Sequence, residues 1–257
     1  MTDELVQERR GAVLVARLNR PDARNALTPD MIRGIGGAIT DAETDPEIGA
    51  VVLTGTGDRA FCAGMDLRAF AAGGETSLGD DDATRAFFRL LDGAVTIPVV
   101  GAANATAVAG GFELLLGCDV IVASSEAEFG LPEVKRGLFP AGNGTFLGSR
   151  VALGVALEMT LTGDSMSAVR AYDLGLVNAV VPPDEVLTRA LAVAERIAAN
   201  GPLGVRAVKE LVRLGISDPA GARERLREWQ DVVFNSEDAK EGATAFVERR
   251  PPVWRGR

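Results

Sequence analysis

The amino-acid sequence predicts an α/β fold followed by a helical C-terminal region. Two observations carry the α/β part: continuous apolar runs bounded by turns, at 50–53, 98–102 and 119–123, and a glycine turn with a helical pattern after each run. Runs of that kind fit strands buried on both faces and joined by helical crossovers. A third observation places the remaining helices: from about Gly142 onward the strand signal nearly vanishes.

Taken in order, residues 12–18 alternate like a strand. Thr28 before Pro29 is an N-cap followed by a preorganised first turn, and it opens a helix reaching about Glu43. Ala50-Val51-Val52-Leu53 is a buried strand ending at Gly55. The Gly-rich, acidic segment 73–82, with Asp80-Asp81-Asp82, reads as a mobile surface loop. Pro98-Val99-Val100-Gly101-Ala102 and Asp119-Val120-Ile121-Val122-Ala123 are two further buried strands. Segments 168–174, 184–199, 202–214 and 220–234 read as helices. A last helix starts after Ser236, with Glu237 and Asp238 in its first turn, and ends at Pro251-Pro252-Val253-Trp254. This helical part would pack on the chain's own core or on a neighbouring subunit. No fixed-period repeat is visible.

Composition removes several classes of function. The chain has 257 residues, enough for one large domain or a domain with an extension. Aromatics are only 5%, so a core must come largely from Ala, Val and Leu. A formal charge of −9 argues against nucleic acid or an anionic membrane as partner. Cys62 and Cys118 lack metal spacing and are expected as free buried thiols in a reducing compartment. The acidic N-terminus has no apolar signal region, and no apolar run approaches the ~20 residues of a membrane helix. A soluble cytoplasmic protein is expected. There is no histidine, which excludes Ser-His-Asp and Cys-His triads and His-ligated zinc. A general acid or base must then be Glu, Asp, Lys, Cys or the single tyrosine, Tyr172, with carboxylates the default.

Two glutamates stand beside glycine-rich turns, in Ala109-Gly110-Gly111-Phe112-Glu113-Leu114 and Phe129-Gly130-Leu131-Pro132-Glu133-Val134. A third glycine turn lies upstream, Phe61-Cys62-Ala63-Gly64-Met65-Asp66-Leu67. Gly110 opens a helix, where unpaired N–H groups and the dipole favour an anionic oxygen, and Glu113 in its first turn can point to the same spot. Ordinary helix-start chemistry explains the same residues when they are taken alone. The Gly64 turn can present the Met65 N–H to that cavity, although a lone methionine more often fills core. Glu133 follows Pro132, and its neighbours Phe129, Leu131, Val134 and Leu138 are apolar. A carboxylate in an apolar wall gains proton affinity, as a proton donor requires; a surface glutamate on a loop is the plain alternative. Asp66, Asp119 and the two cysteines have no spacing that singles them out and read as structural. Together, two bare turns and two carboxylates could polarise a carbonyl and move a proton or a water beside it.

With these motifs in place, the chain resembles the crotonase, or enoyl-CoA hydratase/isomerase, superfamily. The matches are Arg20-Pro21-Asp22-Ala23-Arg24-Asn25-Ala26-Leu27, then 55–67, 107–119, 129–145, 171–178 and 236–250, in the right order over nearly the whole length. The resemblance implies a crotonase-like spiral of ββα turns over residues 1–195, carrying an acyl-CoA site, and a helical oligomerisation region over 196–257. It implies an oxyanion hole from the Met65 and Gly110 N–H groups, and Glu113 and Glu133 as the pair that handles the water and Cα. It implies a CoA cleft along Arg24, Ala26, Ala63, Asp66, Leu67 and Arg68, the last stretch meeting adenine. Phe246 and Arg249 match positions that reach CoA bound to an adjacent subunit. Trimers or dimers of trimers are typical. No metal and no cofactor beyond the CoA of the substrate are implied.

Two departures stand out. The usual Asn-Gly is Asn104-Ala105, and the glycine run after Glu133 reads Pro140-Ala141-Gly142-Asn143-Gly144. Both bear on pocket shape, and neither touches a glutamate. The segment 110–116 also resembles carnitinyl-CoA dehydratase relatives, which share the chemistry. Two glutamates favour a hydratase acting on 2-enoyl-CoA over a double-bond isomerase, which needs one. A non-catalytic acyl-CoA-binding or RNA-binding relative is the other class, disfavoured by the intact glutamates and the acidic charge.

Overall fold

The structure is a computed structural model and describes residues 4–66 and 78–257. Its larger sheet has six strands in the order β1-β2-β3-β4-β6-β9. They are β1 (Leu5–Arg10), β2 (Val13–Leu18), β3 (Ala50–Gly55), β4 (Val99–Ala103), β6 (Val120–Ser124) and β9 (Ala179–Val181). β1 runs antiparallel to β2, and every other pairing in this sheet is parallel. A second sheet joins three short strands, β5 (Ala107–Val108), β7 (Glu128–Gly130) and β8 (Met166–Ser167), in that order.

Both faces of the large sheet are covered. Leu14, Ala16 and Leu18 of β2 face a core shared with α1 (Pro29–Thr44), α2 (Asp82–Leu91) and α3 (Gly110–Gly117). Val13 and Val15 face a smaller core under α6 (Val186–Ala198), built with Val52, Val100 and Val122. The alternation read in residues 12–18 is therefore not a wet and a dry face: Val13 to Ala16 and Leu18 are all buried. α1 begins where the sequence places it, with the Thr28 hydroxyl accepting from the Met31 amide at 3.1 Å.

The remaining helices are α4 (Leu153–Thr162), α5 (Ala168–Asp173), α7 (Pro202–Ser217), α8 (Pro219–Phe234) and α9 (Glu237–Glu248), the last capped by Ser236. Four readings need correction. A strand, β1, precedes 12–18, and β8 and β9 lie beyond Gly142, where the strand signal nearly vanishes. α6 starts at Val186, because Pro183–Glu185 forms a separate 3₁₀ turn. Of the loop expected at 73–82, residues 73–77 lie outside the described residues. Asp81 and Asp82, at its end, instead cap and open α2, the Asp81 carboxylate accepting from the Thr84 amide at 2.7 Å.

Two successive turns of the spiral position the site. β4 leads through β5 to α3, and β6 leads through β7 to a 3₁₀ turn at Pro132–Arg136. β5 and β7 pair in parallel, Ala107 opposite Phe129 and Val108 opposite Gly130. On its other side Ala107 bridges Cys62, also in parallel. Cys62, Ala107 and Phe129 thus stand abreast, and each leads within a few residues to a candidate group: Met65, Gly110 and Glu133. Stacked rings of Phe112 and Phe129, 5.4 Å apart, lock the two turns together.

Candidate active site

Gly110 is the first residue of α3, and Ala109 is its N-cap at φ 51°. A non-glycine residue at positive φ is uncommon and strained. The turn holds it there: the Ala109 amide donates to Gly130 O at 2.9 Å, and its carbonyl accepts from Phe112 and Glu113 at 2.8 and 3.0 Å. Two glycines permit the close approach beside it. Gly64 has φ +83°, and a Cβ on it would lie 2.8 Å from Ala109 Cβ and 3.1 Å from the Gly110 amide nitrogen. A Cβ on Gly111 would lie 2.2 Å from Cys62 O.

The Met65 amide comes to the same place. Leu27 and Met65 form a parallel bridge, with Leu27 N donating to Gly64 O at 2.8 Å and Asp66 N to Leu27 O at 3.1 Å. A Cβ built on Gly110 would lie 3.8 Å from the Met65 nitrogen, so the two amides border one small space. The Met65 side chain is exposed rather than filling core. Arg20 fixes the turn from outside, pairing with the Asp66 carboxylate at 3.3 Å and donating to Ala26 O at 2.7 Å. Buried Asn25, which sequence reasoning passed over, donates to Thr56 O and Ala60 O at 3.0 and 2.8 Å.

The two carboxyl groups are held differently. Glu113 is buried, and its Oε1 accepts from the Gly142 amide at 2.9 Å and the Gly144 amide at 3.0 Å. Burial raises its proton affinity above the ordinary carboxylate level, opposed by these two amides. Glu133 sits on the 3₁₀ turn, half-buried, and its Oε2 is buried with no hydrogen-bond partner. Burial raises its proton affinity as well; the Glu113 charge raises it further, against its own amide and Arg136. Its apolar surroundings are partly corrected: Phe129 and Leu131 are buried, whereas Val134 and Leu138 are exposed.

Sequence reasoning noted Gly142 and Gly144 only as a departure from a pattern. Their amides are what hold Glu113, across 29 and 31 positions of chain. Only the spacing of two glycines within one turn hinted at it. Arg24, at φ 53°, and Ala26 line the turn beside Ala63, whose amide donates to Arg24 O at 3.1 Å. Leu67 and Arg68 lie outside the described residues. Phe246 and Arg249 stand exposed on and just past α9 and, among the described residues, make no hydrogen bond or ion pair with the site. A cavity of about 890 Å³ lies between α7 and α9, lined by neither glutamate. Among the described residues, no cluster of His, Cys, Asp or Glu suits a metal, and no helix is long and apolar enough to cross a membrane. Both cysteines are free and buried, their thiols pushed up to about 12 by burial.

The profile of the enoyl-CoA hydratase/isomerase family matches residues 8–257. The chain belongs to that family. Enoyl-CoA hydratase EchA19 of Mycobacterium tuberculosis is 38% identical over 99% of this chain and 97% of its own. Carnitinyl-CoA dehydratase of Proteus mirabilis is 37% identical over the full length of both. The crystal structure of an enoyl-CoA hydratase from Mycobacterium tuberculosis H37Rv superimposes with a TM-score of 0.91 at 40% identity, covering 99% of this chain and 100% of that one. The crotonase-like spiral is thus the fold of a family member, and the paired glutamates and facing amides sit on its consecutive turns.

Proposed function

We propose that this family member is an enoyl-CoA hydratase, adding water reversibly to a 2-enoyl-CoA thioester to give the 3-hydroxyacyl-CoA. The observation that carries this is the unequal pair of carboxyls beside two convergent amides. The Met65 and Gly110 N–H groups would take the thioester oxygen and hold the negative charge that develops on it as Cβ is attacked. Glu113, pinned by two amides, would orient the water and accept its proton. Glu133, with a free buried oxygen and raised proton affinity, would deliver a proton to Cα. The water leaves its hydroxyl on Cβ, Cα gains the Glu133 proton, and the proton taken by Glu113 exchanges through solvent to restore Glu133, so the addition balances with no external oxidant.

The rest of the assignment follows the same reading. Arg24, Ala26, Ala63 and Asp66 would form the described part of the CoA cleft, and CoA would enter as part of the substrate. Exposed apolar side chains, among them Phe146, Leu161, Ile216 and Phe246, support burial against further copies in a trimer or a dimer of trimers. Phe246 and Arg249 would then reach CoA on a neighbour. Loss of enoyl absorbance on crotonyl-CoA tests the activity; a shift of a 3-enoyl-CoA double bond without hydration would put the isomerase reading in its place. Light scattering at the mass of one 26.9 kDa chain would remove the oligomer.

A further inference from the structure

The last carbonyls of a helix need donors, and cations there also satisfy the dipole. In α3, the helix that starts at Gly110, these donors come from far away in the chain. Arg213 Nη2 donates to Gly117 O at 3.1 Å and Cys118 O at 3.3 Å. Arg150 Nη1 donates to Leu116 O at 2.9 Å. Asp119 then ties the cluster together. Its Oδ1 accepts from Arg213 Nη2 at 2.9 Å, and its Oδ2 from Lys209 Nζ at 2.7 Å and the Val99 amide at 2.8 Å. Lys209 Nζ also reaches Ile97 O at 2.7 Å. One side-chain cluster therefore grips the end of α3 and the start of β4, the strand that leads through β5 into the Gly110 turn.

Helix capping alone does not require this arrangement. A glycine or a surface lysine satisfies helix carbonyls at little cost. Here three cations surround one carboxylate, and Arg150 has no carboxylate partner among the described residues. Burial and the neighbouring Arg213 both lower the proton affinity of Arg150, opposed by Cys118 and Asp119. The place for Arg213 is also reserved: Gly93 has φ +65°, and a Cβ on it would fall 1.9 Å from Arg213 Nη1. α3 has only eight residues, about 12 Å, so a shift at one end is carried to the other.

We infer that Arg213 and Arg150 are positioning residues, holding the C-terminal end of Gly110–Gly117 so that the Gly110 amide stays aimed at the thioester oxygen. Through Arg213 and Lys209, the docking of α7 then sets the geometry of the oxyanion hole. This role rests on the hydratase reading of the Gly110 amide.

The test is Arg213→Met, with Arg213→Lys as the conservative rescue. Hydration of crotonyl-CoA should lose about tenfold or more in kcat with KM nearly unchanged, because CoA binding is untouched while the reacting carbonyl is misaligned. Bound cinnamoyl-CoA, whose conjugated carbonyl absorbs further to the red when polarised, should lose that red shift. Amide exchange across 110–117 should quicken. Arg213→Lys should recover a substantial part of all three. A wild-type red shift and kcat in Arg213→Met, whatever its Tm, would overturn the proposal. Should Arg213→Met not fold, Arg150→Met is read in the same way, with a smaller loss expected and an unchanged red shift decisive against. If the wild-type protein neither hydrates crotonyl-CoA nor shifts the probe, the hydratase reading has failed instead. Amide exchange alone then decides whether the clamp holds the helix.

Discussion

Glu113 and Glu133 occupy equivalent points on consecutive turns of one spiral, yet they are built in opposite ways. Glu113 sits in the first turn of an α-helix, buried, with two backbone amides on one oxygen. Glu133 sits on a 3₁₀ turn, half-buried, with one buried oxygen that meets no donor. The first arrangement fixes a carboxylate in space; the second leaves a carboxyl free to gain and lose a proton. Identical side chains are given different surroundings by what the backbone offers them.

The widest test removes each acid in turn. Glu113→Gln and Glu133→Gln are each expected to cut hydration by about 10²–10⁴ while acyl-CoA binding survives. Because the proposed mechanism has both act on one water, the double variant should lose less than the product of the singles. Full hydration by Glu113→Gln, with none by Glu133→Gln, would mean that one carboxyl suffices and would overturn the two-acid mechanism. Next comes Gly110. Gly110→Pro deletes one of the two proposed oxyanion donors and should lower kcat by about 10²–10³ with an unchanged circular dichroism spectrum. Gly110→Ala should be milder, since its Cβ finds ordinary contacts from 3.5 Å outward.

A narrower change sharpens the contrast. The nearest atoms to a Cβ on Gly142 would be those of the Glu113 carboxyl group, at 2.9–3.0 Å. Gly142→Ala should therefore displace the fixed acid at little cost to stability and lower kcat about tenfold, with Tm nearly unchanged. The smallest effect is on stability. Glu133 binds its proton more tightly in the folded protein than the ordinary value of 4.5. The folded state then holds the extra proton, so stability is greatest below that value and falls as pH rises toward the folded pKa. Glu133→Gln, which cannot ionise, should raise Tm relative to wild type at neutral pH and give no gain at about pH 4. An equal gain at both would show that the Glu133 charge costs the fold nothing.

Much of this was legible in the chain because it is local. Thr28-Pro29 and Ser236 announce their helices, and the buried strands show as unbroken apolar runs. Leu5–Arg10 escaped because it is an edge strand whose residues from Val6 onward are exposed; a charged edge guards against further pairing and reads as loop. β5, β8 and β9 are two or three residues long, too short for any period. The glutamates were found through their glycine neighbours, but the donors that tell them apart were not. Gly142 and Gly144 reach Glu113, and Arg213 reaches the end of α3, only once the spiral has closed. Nothing in a window of a dozen residues carries such contacts.

Ala109 sets a trap for anyone who wants a hardier version of this protein. A rule-based design would replace an alanine at φ 51° with glycine to release strain. That strain is local to the one peptide that turns β5 into α3 and sets the direction of the Gly110 N–H. Ala109→Gly should last longer when heated and work more slowly when cool. Half-life at elevated temperature set beside kcat at 25 °C would expose the exchange, and a variant that improved in both would show that the turn holds its aim without the alanine.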